Sequence, residues 1–146
     1  MKTIQRSYVV ALPLNHRNNL LLQRKDRGYK FWPNYWCTFG GGMKDGEGLE
    51  DTFLREMREE NGLLLTYIAH FESQIFFDET KFGDPLRREG VVHYFSARFD
   101  GDLKKVKIGE GAGFSLFDKD ELARYNQLGL IVPYNYTVIE KLMNSL

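Results

Sequence analysis

Apolar and polar positions along the chain separate strands from helices. Residues 8–14 form an apolar, β-prone run, residues 15–19 read as a turn, and residues 20–23 return as a second strand. The chain is therefore expected to open with a hairpin. Residues 26–35 are polar and aromatic and read as a loop, and residues 36–39 make a short strand that runs into Gly40, Gly41 and Gly42. The clearest helix covers residues 49–61. Leu49, Phe53 and Met57 recur every four residues there, with Leu54 beside them, as one apolar stripe. Gly62 supplies the stop. Strands are expected over residues 67–77 and 91–99, joined by a polar loop over residues 78–89, and Asp100-Gly101 signals a turn. Residues 113–117 read as a last strand. Asp118 is placed to cap a short helix through Tyr125, and residues 136–144 read as a C-terminal helix with Val138, Ile139 and Leu142 on one side. This order of elements predicts an α/β or α+β sandwich.

Composition narrows the class. The chain has 146 residues, enough for a core without disulfide or metal staples. With no repeat, low-complexity tract or linker, one domain over residues 1–146 is expected. Lys+Arg and Asp+Glu balance at 20 each, so nothing in the charge calls for a nucleic-acid polymer or an anionic membrane as partner. The first apolar run is too short to span a bilayer, and no small-residue cleavage site follows it. Cys37 is the one cysteine, so no intrachain disulfide is possible, which fits a reducing compartment. A cytoplasmic protein is expected. The sequence leaves the oligomeric state open, a homodimer included.

The candidate chemistry sits in residues 41–63, GGMKDGEGLEDTFLREMREENGL. Glu56, Glu59 and Glu60 are spaced i, i+3, i+4, so they share one side of the helix, at the border of the apolar stripe. Carboxylates packed this way repel one another, and each resists ionising beside the others. Glu59 and Glu60 also sit near the helix C-terminus, where the macrodipole disfavours anions. Hard divalent cations with oxygen ligands offset both costs, and Mg²⁺ also binds phosphate oxygens. Arg55 is placed to hold a carboxylate by a two-point hydrogen bond. Gly40, Gly41 and Gly42 let bare backbone approach a ligand or metal. A Glu-rich helix is also what a solvated face with local salt bridges to Arg55 and Arg58 would look like; the glycine loop and Glu47 at fixed spacing argue against that reading.

This stretch resembles the signature of the Nudix hydrolases: a glycine, five residues, a glutamate, seven residues, then Arg-Glu-aliphatic-x-Glu-Glu-x-Gly-aliphatic. The matching positions are Gly41, Glu47, Arg55, Glu56, Met57, Glu59, Glu60, Gly62 and Leu63. A chance match of the fixed positions is on the order of 10⁻⁹ to 10⁻⁸ per window. Met57 stands where the family usually has Leu, Ile or Val, and Phe39 replaces the proline of the usual Pro-Gly-Gly. The resemblance implies a mixed sheet with the box helix on one side and the C-terminal helix on the other. It implies Mg²⁺- or Mn²⁺-dependent attack of water on a pyrophosphate linkage of a nucleoside diphosphate joined to another group. A nucleoside triphosphate yielding monophosphate and pyrophosphate, as in MutT-like members, is the leading substrate class. Nucleoside diphosphate sugars or related conjugates come second, and a non-catalytic nucleotide-binding module is a third option. Implied metal ligands are Glu59, Glu60, Glu56 (as ligand or base) and the carbonyl of Gly40. Arg55 would orient the glutamates, and Glu47 would orient the loop or hold an outer ion.

Outside the box, residues 110–114 resemble the glutamate-glycine loop of MutT-like members, so Glu110 is a candidate metal ligand or base, or else a surface acid. Residues 133–139 resemble the MutT segment that carries a base-reading asparagine, so Asn135 is a candidate for the base or, alternatively, a helix cap. Arg24 and Lys25 could meet phosphate or ribose at the end of the second strand. Trp32, Tyr35 and Trp36 flank the glycine loop; Trp32 is the candidate for stacking on a base, Trp36 for the core. His16, His70 and His93 show no metal-ligand spacing and receive no role. Cys37 is expected to be a packed thiol.

Overall fold

The computed structural model describes residues 2–25, 27–28, 32–79, 86–100 and 113–146. Among the described residues, seven strands and three helices follow in the order β1 (Lys2–Leu14), β2 (Leu20–Arg24), β3 (Trp36–Cys37), β4 (Phe39–Gly42), α1 (Leu49–Glu60), β5 (Thr66–Glu79), β6 (Leu86–Arg98), β7 (Gly113–Phe117), α2 (Lys119–Gln127) and α3 (Pro133–Ser145). The sheet is mixed. Its main path runs β3-β2-β1-β6-β5, with β4 on β1 and β7 on β2. β1 is parallel to β6 along its whole length and antiparallel to β4, where Val9 faces Gly41 and Val10 faces Gly40.

Alternation along the central strands divides two cores. Leu12, Leu14, Leu20 and Leu22 pack with Leu122, Val138, Ile139 and Leu142 of α2 and α3. Val9, Ala11 and Leu21 point the other way and pack with Phe53 and Met57 of α1. Because both faces are covered there, residues 8–14 of β1 and 20–22 of β2 read as near-continuous apolar runs. Gln23 follows the β2 run and is buried on the α1 side, where it meets Glu60.

The helix ends follow from local chemistry. The Asp51 carboxylate accepts the Gly48 N–H at 3.1 Å at the start of α1. At its end the Asn61 and Gly62 N–H groups both reach the Met57 carbonyl, at 3.0 and 2.8 Å, and Gly62 takes φ +65°. That left-handed position favours glycine. Asp118 caps α2 reciprocally with Glu121, as expected of a capping box.

Several expectations need correction. Leu54 is half-exposed rather than part of the α1 stripe, and Thr52 is buried in its place. Of the polar segment over residues 78–89, residues 78–79 and 86–89 are strand rather than loop, paired in the β5–β6 ladder, and residues 80–85 lie outside the described residues. α3 starts at Pro133, a residue suited to the first helical turn, so Asn135 lies inside the helix and Val132 holds the cap position. The helix-cap reading of Asn135 is therefore wrong. β1 begins at Lys2 rather than residue 8, and α2 extends to Gln127. Among the described residues no helix is long and apolar enough to cross a membrane.

Candidate active site

The glycine strand β4 is the floor of the site, and α1 lies over it. Glu60, in the last turn of α1, is buried, with 7% of its surface exposed. One of its carboxylate oxygens accepts the Gly40 N–H at 2.8 Å, and the other accepts Gln23 Nε2 at 3.3 Å. Gln23 also donates to the Thr38 carbonyl at 3.2 Å, which ties β2 to the turn into β4. Burial pushes the Glu60 carboxyl up to about 8, and the neighbouring Glu56 charge adds to the rise; the Gln23 and Gly40 hydrogen bonds oppose it.

Glu56 lies directly on Gly41: a Cβ on that glycine would overlap the Glu56 carboxylate. A side chain at residue 41 would thus displace Glu56, which gives the box glycine a steric reason. Gly40 has a different one, because a Cβ there would strike the Val9 carbonyl of the adjacent strand.

Arg55 organises the outer side. Its Nε and Nη2 donate to the two oxygens of Glu47 at 2.7 and 2.9 Å, a two-point pairing. Nη2 also donates to the Gly42 carbonyl at 3.0 Å, and Nη1 to Glu56 at 2.8 Å. The guanidinium holds the Glu47 carboxyl down at about 2, helped by the Lys44 N–H and the Thr52 hydroxyl. Arg55 therefore joins the loop before α1 to the glycine strand and to Glu56, as the two-point expectation required.

Of the three helix glutamates, the fold brings Glu56 and Glu60 to the glycine strand. Glu59 points outward, its side chain 54% exposed, with one oxygen 3.4 Å from Arg55. Among the described residues no group of three acidic, histidine or cysteine side chains stands ready to enclose an ion. The donor chemistry nevertheless fits a hard divalent cation. A carboxylate that burial forces toward its neutral form, beside a second carboxylate and bare backbone, is the arrangement a cation would relieve.

Asn135 accepts the Thr38 N–H on its side-chain oxygen at 3.3 Å and shares a hydrogen bond with the buried Tyr94 hydroxyl. It joins α3 to the strand that leads into the glycines. The Trp36 N–H donates to the Leu130 carbonyl at 2.7 Å and the Val132 N–H to the Trp36 carbonyl at 3.0 Å, which docks the same segment from the other side. Trp36 packs edge-on against Phe117, as expected of a core residue. Trp32 meets Tyr35 at 5.1 Å and Tyr134 at 6.1 Å between ring centres, both edge-on, and Tyr134 is 55% exposed. Arg24 is exposed at the end of β2. Cys37 is buried, and burial pushes its thiol up to about 12, so it behaves as a packing group. Glu110 lies outside the described residues.

Sequence reasoning did not single out Gln23, Thr38, Thr52 or Tyr94. Only Gln23 left a signal, as an amide directly after the apolar run Leu20, Leu21 and Leu22.

A mixed sheet with an acidic, arginine-braced helix over a glycine strand is the Nudix architecture, and comparison with known proteins agrees. The family model described as NUDIX domain matches residues 4–142, and the chain belongs to that family. It is a Nudix pyrophosphohydrolase, of a family that generally uses divalent metal ions. The chain is 33% identical over 109 residues to the nucleoside triphosphatase NudI of Escherichia coli O17:K52:H18, covering 73% of this chain and 76% of that protein. It is 30% identical over 122 residues to the RNA pyrophosphohydrolase of Agrobacterium fabrum, covering 76% and 71%. The crystal structure of the MutT protein from Methanosarcina mazei Go1 superposes with a TM-score of 0.74 at 20% identity, covering 99% and 97% of the two chains.

Proposed function

We propose that this chain hydrolyses a nucleoside or deoxynucleoside triphosphate to the monophosphate and pyrophosphate, with Mg²⁺ or Mn²⁺ as the metal. The observation that carries the reading is the buried Glu60 carboxylate beside Glu56 over the three glycines of β4. Similarity to a protein named nucleoside triphosphatase supports this substrate class. Glu56, Glu59, Glu60 and the Gly40 carbonyl would hold the metal, which when bound neutralises phosphate charge and lowers the pKa of the attacking water.

The chain's own residues supply the rest. Water attacks phosphorus, the bridging P–O bond breaks, and pyrophosphate leaves with the bridging oxygen. Glu56 or Glu110 takes the proton from the water. Arg55 holds Glu56 and the Gly42 carbonyl in place, and Glu47 fixes Arg55 in turn. Gln23 and the Gly40 N–H fix both oxygens of Glu60. Trp32 and Arg24 stand as candidates for the base and the phosphate or ribose.

A second reading, hydrolysis of nucleoside diphosphate sugars or other conjugates, draws on the cluster of Trp32, Tyr35 and Tyr134, which offers ring faces for a second group. A screen of nucleoside triphosphates, oxidised triphosphates, nucleotide sugars and dinucleotides with Mg²⁺ and with Mn²⁺ separates the two readings. Pyrophosphate is the expected product. Sugar phosphate as the main product would replace the first reading by the second, and no metal-dependent turnover on any substrate would overturn both.

A further inference from the structure

Two histidines that the sequence leaves without a role converge in the fold. His70 on β5 and His93 on β6 both reach the hydroxyl of Ser73. His70 Nε2 lies 2.7 Å from Ser73 Oγ, and His93 Nδ1 lies 2.8 Å from it. His93 and Ser73 are direct partners across the hairpin. His70 is three residues from Ser73 and would fall on the opposite face of a regular strand. A register shift between His70 and Glu72 brings it round to the same side. Spacing along the sequence could not have revealed this pair.

The hydroxyl proton can be donated to only one ring, so the other ring must donate to the oxygen. Desolvation and the nearby His70 hold His93 below its ordinary pKa, so proton competition for its nitrogen is weak near neutral pH. His70 and Ser73 are exposed and His93 is half-buried, so the nitrogens are within reach of solutes. Glu72 and Gln74 alternate to the other face of β5, where Glu72 pairs with Lys141 of α3 at 2.8 Å. The cluster is therefore a pair of imidazole nitrogens with a hydroxyl between them.

We infer that His70 and His93 form a binding site for a borderline transition-metal ion such as Zn²⁺ or Cu²⁺, with Ser73 beside it and water completing the coordination. Imidazole nitrogens suit these ions, whereas Mg²⁺ takes oxygen donors. The ion would replace the hydroxyl as the point on which the rings converge, at about 2.0–2.1 Å from each nitrogen for zinc. Rotation of the exposed His70 side chain provides the closer approach.

This site is separate from the glutamates of α1. Gly41, Val9, His93 and Ser73 lie in one transverse row across β4, β1, β6 and β5. Neighbouring strands are about 4.8 Å apart, so His93 stands about 10 Å from Gly41, with the buried Val9 between them. An ion here joins the end strand of the sheet's main path to its neighbour at the place where their pairing slips.

The test titrates the full chain, without a polyhistidine tag, with ZnCl₂ and with CuCl₂ in excess Mg²⁺. Calorimetry gives affinity, and the nitrogen hyperfine pattern of bound Cu²⁺ counts imidazoles. One ion per chain bound through two imidazoles is expected. His70→Ala and His93→Ala should each weaken binding at least tenfold, while Ser73→Ala leaves it within a few fold. His93→Gln serves as a second variant if His93→Ala loosens the hairpin. Binding within twofold of wild type in both histidine variants would overturn the inference, as would a Cu²⁺ spectrum without nitrogen ligands. A Glu59→Gln/Glu60→Gln protein should still bind the ion; loss of binding there would place it on α1 instead.

Discussion

Glu60→Gln should change the pH dependence of stability in the metal-free protein. Glu60 rises from an ordinary 4.5 to about 8 in the folded chain, chiefly through burial. A group whose folded pKa exceeds its unfolded one makes the folded state bind the extra proton. Its stabilising contribution is full below pH 4.5 and is lost as pH rises through 8. One pKa unit is about 1.4 kcal/mol, so the full loss is on the order of 5 kcal/mol. Between pH 5 and pH 7 the wild type should lose about 2–3 kcal/mol relative to the glutamine variant by the same linkage. For a chain of this length that is roughly 8 °C of melting temperature.

Glutamine keeps an oxygen for the Gly40 N–H but sets an amide against Gln23. That adds an offset without pH dependence, so the slope of the difference carries the information. Denaturant unfolding of both proteins in EDTA at half-unit steps from pH 4.5 to 8.5 measures it. With saturating Mg²⁺ the slope should flatten, because a bound cation favours the ionised carboxylate. Parallel stability curves in EDTA would refute the account of Glu60 as a carboxylate made costly by burial.

Three further outcomes follow from the same geometry. Gly41→Ala should stay folded but lose most turnover, because its methyl displaces only the flexible end of Glu56, whereas Gly40→Ala should melt markedly lower, because its methyl meets the Val9 backbone; melting curves and steady-state rates on both separate the two glycines. Mg²⁺ at a hundredfold excess over its dissociation constant should stabilise the wild type by about 2.7 kcal/mol and the Glu59→Gln/Glu60→Gln protein far less; equal thermal shifts would place the ion elsewhere. Asn135→Ala should cost about 1–3 kcal/mol by leaving the buried Thr38 N–H without its partner, with little change in preference among triphosphates; an altered preference at unchanged stability would instead make it a base-reading residue.

What the sequence made legible was whatever depends on near neighbours. The period of Leu49, Phe53 and Met57, the stop at Gly62 and the cap at Asp118 are local, and each appears in the fold as read. The side of α1 that carries the acids was equally local, and so was Arg55, whose reach to Glu47 spans only two turns of chain. The errors fall where distant segments decide. Leu54 has the right hydropathy for the stripe, but the sheet runs under Thr52 instead. Residues 78–79 and 86–89 read as ends of a polar loop in sequence, and only the backbone register of β5 on β6 makes them strand. Asn135 sits before an apolar helix pattern, yet Pro133 starts the helix early and turns its amide inward to Thr38 and Tyr94.

The same division runs through the site. Three glutamates on one helix suggest three equal carboxylates, but their spacing cannot say which one the rest of the chain will bury. That depends on Gln23, thirty-seven residues away in sequence, and on a strand bare enough for Glu56 and Glu60 to come down onto it. Glu59 keeps its solvent, and Glu60 does not. The inequality matters chemically. A carboxylate that burial pushes up this far is charged at neutral pH only when something positive stands beside it. Glu60 is therefore where occupancy of the proposed metal site and stability of the fold are coupled, and a difference between two otherwise similar glutamates is what the tertiary structure adds to the motif.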